Sequence, residues 1–222
     1  MGDDAVTVTD NNNHENNNNH QSIMIELYPL SSYYFGSKDP IAFRDETVAD
    51  RVQRMKSNFN ARGLRTSVQA VMLVELFKHP HLLLLQVRNA TFKLPGGRLR
   101  RGESDIDGLE RKLSRMLSVN EDETDHWEVG DCLGMWWRSD FETLLYPYRP
   151  PNVKVPKECI KLYLVRLPVS RKFIVPKNLK LLAVPLCQVH ENHKLVEGGL
   201  IKLTVMQGRQ TEEPNPKSKR LR

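Results

Sequence analysis

The chain has 222 residues, 39% hydrophobic and 27% charged, with a formal net charge of +6. That balance fits a soluble chain whose bulk folds around one core, and it excludes a chain disordered throughout. Cys132, Cys159 and Cys187 are odd in number and far apart, which excludes a disulfide framework and points to a reducing compartment. No stretch approaches the length needed to span a bilayer, so no membrane partner is expected.

Residues 1–20 include N-N-N-H-E-N-N-N-N-H and carry a net charge of −4. Too little apolar surface is present there to offset ordering entropy, so this segment is expected to be disordered, with His14 and His20 as tract residues. It lacks the apolar run of a secretory signal. Ile25 to Tyr34 alternates weakly and reads as an extended arm. Asp45 is the expected cap of a helix running to about Asn60, with Val48, Val52, Met55 and Phe59 on one stripe and Gly63 as its stop. Val68 to Leu76 and Leu82 to Val87 read as strands, with K-H-P-H at 78–81 as the turn between them.

A helix is expected to begin at Ser104, where Asp107 completes a capping-box-like start. Ile106, Leu109, Leu113, Met116 and Leu117 form its apolar stripe, leaving Lys112 and Arg115 on the wet side. Further strands are expected over Trp127 to Trp137, Ile160 to Leu167 and Lys180 to Val189, with the loop Y-P-Y-R-P-P at 146–151. Trp136 and Trp137 read first as core residues. After Lys194 the pattern weakens into a polar tail ending K-S-K-R-L-R, which also has the look of a nuclear import signal. Residues 209–222 carry +3, so the body between the two ends holds +7. A basic body suits an anionic partner such as RNA as well as simple solubility.

Residues 92–119 have the layout G-x5-E-x7-R-E-U-x-E-E-x-G-U, with U a bulky apolar residue. This resembles the Nudix box, a loop–helix motif that holds magnesium for pyrophosphate hydrolysis. Gly97, Glu103, Arg111, Leu113 and Val119 fit. Lys112, Arg115 and Met116 replace the three helix glutamates, and Ser118 replaces the second glycine. Positions i, i+3 and i+4 share a helix face. Carboxylates there gather hard cations, whereas lysine and arginine offer donors and positive charge only. No metal, cofactor or catalytic residue is therefore expected. A hydrolase would need other carboxylates, such as Asp105 or Glu110, which lie at different helix angles.

Other strings extend the likeness: L-Y-P-L-S-S-Y-Y-F-G at 27–36, R-V-Q-R-M at 51–55, F-K-L-P-G-G at 92–97, D-C-L-G-M-W-W-R at 131–138, Y-P-Y at 146–148 and V-P-K-N-L-K-L at 175–181. In this order they closely resemble the small, Nudix-fold subunit of cleavage factor I of pre-mRNA 3′-end processing. The resemblance implies an α/β (α+β) fold, a Nudix-type mixed sheet sandwiched between helices. Its expected parts are a disordered segment over 1–20, an arm and helix over 21–63, a Nudix-like domain over 64–193 and a divergent basic tail over 194–222. It further implies a nuclear homodimer without hydrolase activity. Its expected partners are single-stranded pre-mRNA containing UGUA, a larger subunit engaged through that subunit's RNA-recognition domain, and other 3′-end processing factors.

Carried over residue by residue, the family's RNA contacts fall on Arg51, on Phe92 and Leu94, and on the backbone of Ala90, Thr91 and Phe92. Thr91 stands where a phenylalanine is usual, and Phe43 and Gln69 replace two glutamates. A phenyl group cannot accept base N–H groups, and a lost stacking platform removes roughly 1–3 kcal/mol per base. Weaker or relaxed RNA recognition is the expectation. A divergent hydrolase of nucleoside polyphosphates and a protein-only scaffold of the same complex are the alternatives.

Overall fold

The computed structural model describes residues 25–42, 47–88, 91–119, 126–141, 144–191, 196–197 and 200–202. The expected disordered segment, the end of the tail, and Phe43, Asp45 and Ala90 lie outside them.

The fold is α/β, with mixed sheets and three helices among the described residues. After a short 3-10 turn at Leu30–Ser32, β1 (Tyr34–Lys38) pairs in parallel with β9 (Lys172–Pro176). Helix α1 spans Val48–Arg62. Its cap is Thr47 rather than Asp45: the Thr47 hydroxyl accepts from the Asp50 N–H while the Asp50 carboxylate accepts from the Thr47 N–H. Gly63 ends the helix as expected, at φ 73°. Val52, Met55 and Phe59 are half-buried, so α1 lies against the body without entering the core.

The expected strand over Val68–Leu76 is two strands. β2 (Arg65–Val71) and β3 (Leu73–Leu76) belong to different sheets, and the chain crosses between them at Met72. β4 (His79–Arg88) begins earlier than expected. The turn is Phe77–Lys78, both at positive φ (51° and 61°), so His79, Pro80 and His81 are strand residues. β5 (Thr91–Lys93) and β6 (Gly96–Arg98) lead into α2 (Asp105–Leu117). β7 (Glu128–Arg138) and β8 (Glu158–Arg166) follow. The strand expected to reach Val189 stops as β10 (Lys180–Pro185) and gives way to α3 (Leu186–Glu191). The short β11 (Val196–Glu197) and β12 (Leu200–Lys202) bring residues beyond 194 onto the sheet edge at β5.

One sheet runs β6-β2-β8-β7, with β2 parallel to β8; the other runs β10-β4-β5-β12-β11, with β3 on β4. Between the sheets and α2 lies the main core: Val68, Ala70, Met72, Leu83, Leu85, Leu109, Leu113, Leu117 and Phe173. Trp127 is the fully buried tryptophan. Its indole N–H donates to Ser114 Oγ at 3.1 Å, and the Arg171 guanidinium lies 3.4 Å above its ring. Trp136 and Trp137, read from sequence as core, are only half-buried.

Candidate functional site: a degenerate metal box and its basic cleft

α2 forms where the sequence places it. Ser104 Oγ accepts from the Asp107 N–H, and Gly108, Leu109, Leu113, Met116 and Leu117 are buried. Ile106 departs from the expected stripe and is 48% exposed, one helical step off the buried face. The loop before α2 is fixed by Gly96, at φ +142°: a Cβ there would stand 2.2 Å from the Val68 carbonyl oxygen. Only glycine lets β6 approach β2 this closely. Gly97 is the floor of the box, and the Lys112 side chain passes over it, with Cε 3.2 Å from where a Gly97 Cβ would sit.

Glu103, the carboxylate retained from the box, is held by three donors. Arg111 Nε and Nη2 donate to its two oxygens at 2.6 and 2.7 Å, and the Arg100 N–H donates at 2.6 Å. The Arg111 hydrogen bonds are the main cause that holds this carboxyl at about 2. Asp105 points the other way, toward β8, where it accepts from Lys161 and, at 2.6 Å, from the Tyr163 hydroxyl. Burial raises the Asp105 carboxyl, and the Lys161 and Tyr163 hydrogen bonds outweigh it, for a net lowering. The same burial and hydrogen bond push the Tyr163 phenol upward. Glu110 faces His126, 3.6 Å away. Both substitute carboxylates considered from the sequence are engaged with other partners, Asp105 with Lys161 and Tyr163 and Glu110 with His126. Lys112 is pushed down by burial first, then by Arg111 and Arg115.

Among the described residues, no three His, Cys, Asp or Glu side chains form a group able to hold a metal. The donor set of the box itself does not suit magnesium: its helix face presents an ammonium, a guanidinium and a buried thioether where oxygen ligands are needed.

The box opens onto a cleft of about 830 Å³. Arg62 at the end of α1 and Arg65 on β2 form one wall; Arg98, Arg100 and Arg101 form the rim before α2. Arg111, Lys112 and Arg115 come from α2, and Lys161 from β8. Glu103 and Asp105 are the two acids that line it, and each already holds a base. Arg98 shows the crowding: burial lowers its guanidinium, and Arg65 and Arg62 lower it further. The sequence reading did not select this cleft; the run R-L-R-R at 98–101 is the local signal that could have pointed to it, whereas Arg62, Arg65 and Lys161 are scattered along the chain.

The residues carried over for RNA binding fall in two places. Gln69 is half-buried on β2, paired with Gly96 and Leu162. The Pro95 carbonyl accepts from the Ala70 N–H at 2.8 Å, so Gln69 and Leu94 stand on the same crossing of β2 and the L-P-G-G run. Leu94 and Phe92 share the second core cluster, with Leu82, Leu84 and Val184. Phe92 is 2% exposed, so its ring packs inward and offers no open face for stacking. Thr91 and Phe92 pair with β4 on one side and β12 on the other. Beside them Lys93, which the sequence reading did not select, is lowered by burial.

Arg51 stands apart on the exposed face of α1, and no described contact joins it to these residues. Partial desolvation, then the charges of Arg138 and Arg65, lower its guanidinium. Behind it lies a buried ion cluster that sequence reasoning missed. Arg138 Nε lies 3.1 Å from Glu158 Oε2, Arg65 Nε lies 3.0 Å from Glu158 Oε1, and Ser67 Oγ donates to the same carboxylate at 3.2 Å.

Comparison with known proteins gives a consistent family. The family described as NUDIX_2, nucleotide hydrolase, matches residues 23–206. The chain is similar to the pre-mRNA cleavage factor Im 25 kDa subunit 1 of Arabidopsis thaliana, 64% identical over 192 residues, or 86% of each chain. It is 51% identical to subunit 2 of the same organism over 77% of this chain and 86% of that one. A cleavage and polyadenylation specificity factor subunit 5 from Dictyostelium discoideum is 40% identical over 76% of this chain and 84% of that one.

Proposed function

The chain belongs to the Nudix-fold family of the pre-mRNA cleavage factor Im 25 kDa subunit, and from that premise we propose that it binds UGUA-type elements of single-stranded pre-mRNA without hydrolysing nucleotides. One observation carries the silent half of this reading. The helix face that would gather magnesium presents Lys112 and Arg115, while Glu103 is clasped by Arg111. A divalent cation would meet positive charge there, and the displaced carboxylates Asp105 and Glu110 are engaged elsewhere.

The RNA half rests on kinship and on Arg51, whose planar donor fork suits a base edge or a phosphate. Gln69, Leu94 and the backbone of Ala90, Thr91 and Phe92 are the further contacts of this reading. With the Phe92 ring buried, the strand offers no stacking platform, and Thr91 and Phe92 reach RNA through backbone groups only where the pairing with β4 and β12 leaves them open. Phe43, Gln69 and Thr91 depart from the family pattern, so discrimination between UGUA and other sequences is weaker than in a typical member. The proposed setting is the nucleus, as a homodimer bound to a larger subunit with an RNA-recognition domain and to other 3′-end processing factors.

The test pairs two assays on the full chain. Fluorescence anisotropy with UGUA RNA should show binding that Arg51→Ala reduces about tenfold, with only modest preference over a scrambled RNA. Incubation with nucleoside polyphosphates and magnesium should release no phosphate or nucleoside monophosphate. Metal-dependent turnover abolished by chelation would overturn the reading in favour of a divergent hydrolase. Partner binding without any RNA affinity would replace it with a protein-only scaffold.

A further inference from the structure

The cleft beside the degenerate box is far more basic than a merely silenced metal site requires. Losing three glutamates explains the lost metal; it does not explain Arg62, Arg98, Arg100 and Arg101, which arrive from α1, β6 and the loop before α2. Guanidiniums dominate the lining, and these match phosphate oxygens in a bidentate fashion. The apolar lining is slight, with Leu64 and Leu99, so the cleft lacks the anchor pockets of a protein-docking groove.

The cleft also continues toward Arg51. Arg65 and Arg98 line both it and a smaller neighbouring hollow that includes Arg54 and Lys157. Arg51 itself lies within the field of Arg65 and Arg54. From Arg51 to Arg62 the helix advances about 16 Å at the ordinary rise per residue. One basic track thus runs along α1 from Arg51 into the cleft.

We propose that this track carries the phosphate backbone of single-stranded RNA lying outside the bases held near Arg51, so that the former catalytic cleft works as a backbone channel. The proposal takes its occupant from the RNA-binding reading above. Backbone contacts of this kind are independent of sequence and dependent on salt, with a slope of about −0.7 per phosphate for single strands. A channel that adds them compensates for weakened base recognition.

The experiment uses the full chain and three RNAs: a short UGUA oligonucleotide, and the same oligonucleotide extended by a uridine tract on its 5′ or its 3′ side. Binding is measured across a salt series for wild type, Arg100→Glu/Arg101→Glu and Arg62→Glu. All three substitutions lie at exposed positions, and unchanged melting confirms folding. Extension on one side should tighten wild-type binding about tenfold. Both variants should lose that gain, and the double variant's salt slope should fall by about 1.4. The short RNA should bind all three proteins alike. Equal gains in wild type and variants, or no gain from either extension, would overturn the proposal. So would tight binding of tripolyphosphate to the cleft that leaves the extension gain intact, since the cleft would then be a small-anion site. The two readings fail separately. Arg51-sensitive binding of the short RNA without an extension gain removes the channel alone. An extension gain that requires Arg100 and Arg101, with no Arg51 dependence, keeps the channel and removes the base site.

Discussion

Arg111 grips Glu103 by both carboxylate oxygens, at 2.6 and 2.7 Å, across the loop that opens α2. The pair fixes the loop before α2 to the helix. The carboxyl lies at about 2 in the folded chain, against an ordinary 4.5. A depressed carboxyl stabilises the fold fully above its unfolded value and loses that contribution as pH falls through its folded one. Thermal melts should therefore show wild type ahead of Glu103→Gln by about 1–2 kcal/mol at neutral pH. The gap should shrink between about pH 4.5 and 2.

Glu158 compensates the Arg138 guanidinium, whose side chain is 3% exposed. Removing the carboxylate takes an ion-pair partner from a buried guanidinium. Glu158→Ala should cost about 3–5 kcal/mol in urea unfolding. Because Arg65 and Arg138 both face Arg51 electrically, the same substitution should also alter RNA binding, read by anisotropy under conditions where the variant remains folded.

Phe92 separates a core role from a stacking role. With its ring packed against Leu84 and Val184, Phe92→Ala should destabilise the chain by about 3–5 kcal/mol. A base-stacking residue would instead weaken RNA binding at little cost in stability. Urea unfolding and anisotropy on the same variant distinguish the two.

The box helix cannot simply be refilled with carboxylates. Met116 is 7% exposed in the main core, so Met116→Glu should cost about 3 kcal/mol by burying a carboxylate without a partner. Lys112→Glu/Arg115→Glu avoids that burial and removes the repulsion. Magnesium should raise its melting temperature by about 2–4 °C, as roughly 1 kcal/mol of linkage would for a chain of this size. Wild type should show no such shift.

The sequence alone determined the parts that depend on near neighbours. Ser104 and Asp107 announced the start of α2, Gly63 the end of α1, and Lys112 and Arg115 the charge on the box face, because capping and helix-face geometry act within a few residues. Local signals failed where the residues concealed the backbone. Phe77 and Lys78 make a two-residue hairpin turn at positive φ, a conformation usually marked by Asn or Gly, while Pro80, a residue typical of turns, lies within β4. The passage from β2 to β3 at Met72 is invisible in an unbroken apolar run. Tertiary structure alone decided that Trp127 is buried while Trp136 and Trp137 stay half-exposed. It alone brought Glu158 between Arg65 and Arg138, and joined α1, β2, β6, α2 and β8 into one basic cleft. Charges from distant segments add their fields only after long-range strand pairing sets them side by side, and that pairing leaves no periodic trace in the chain.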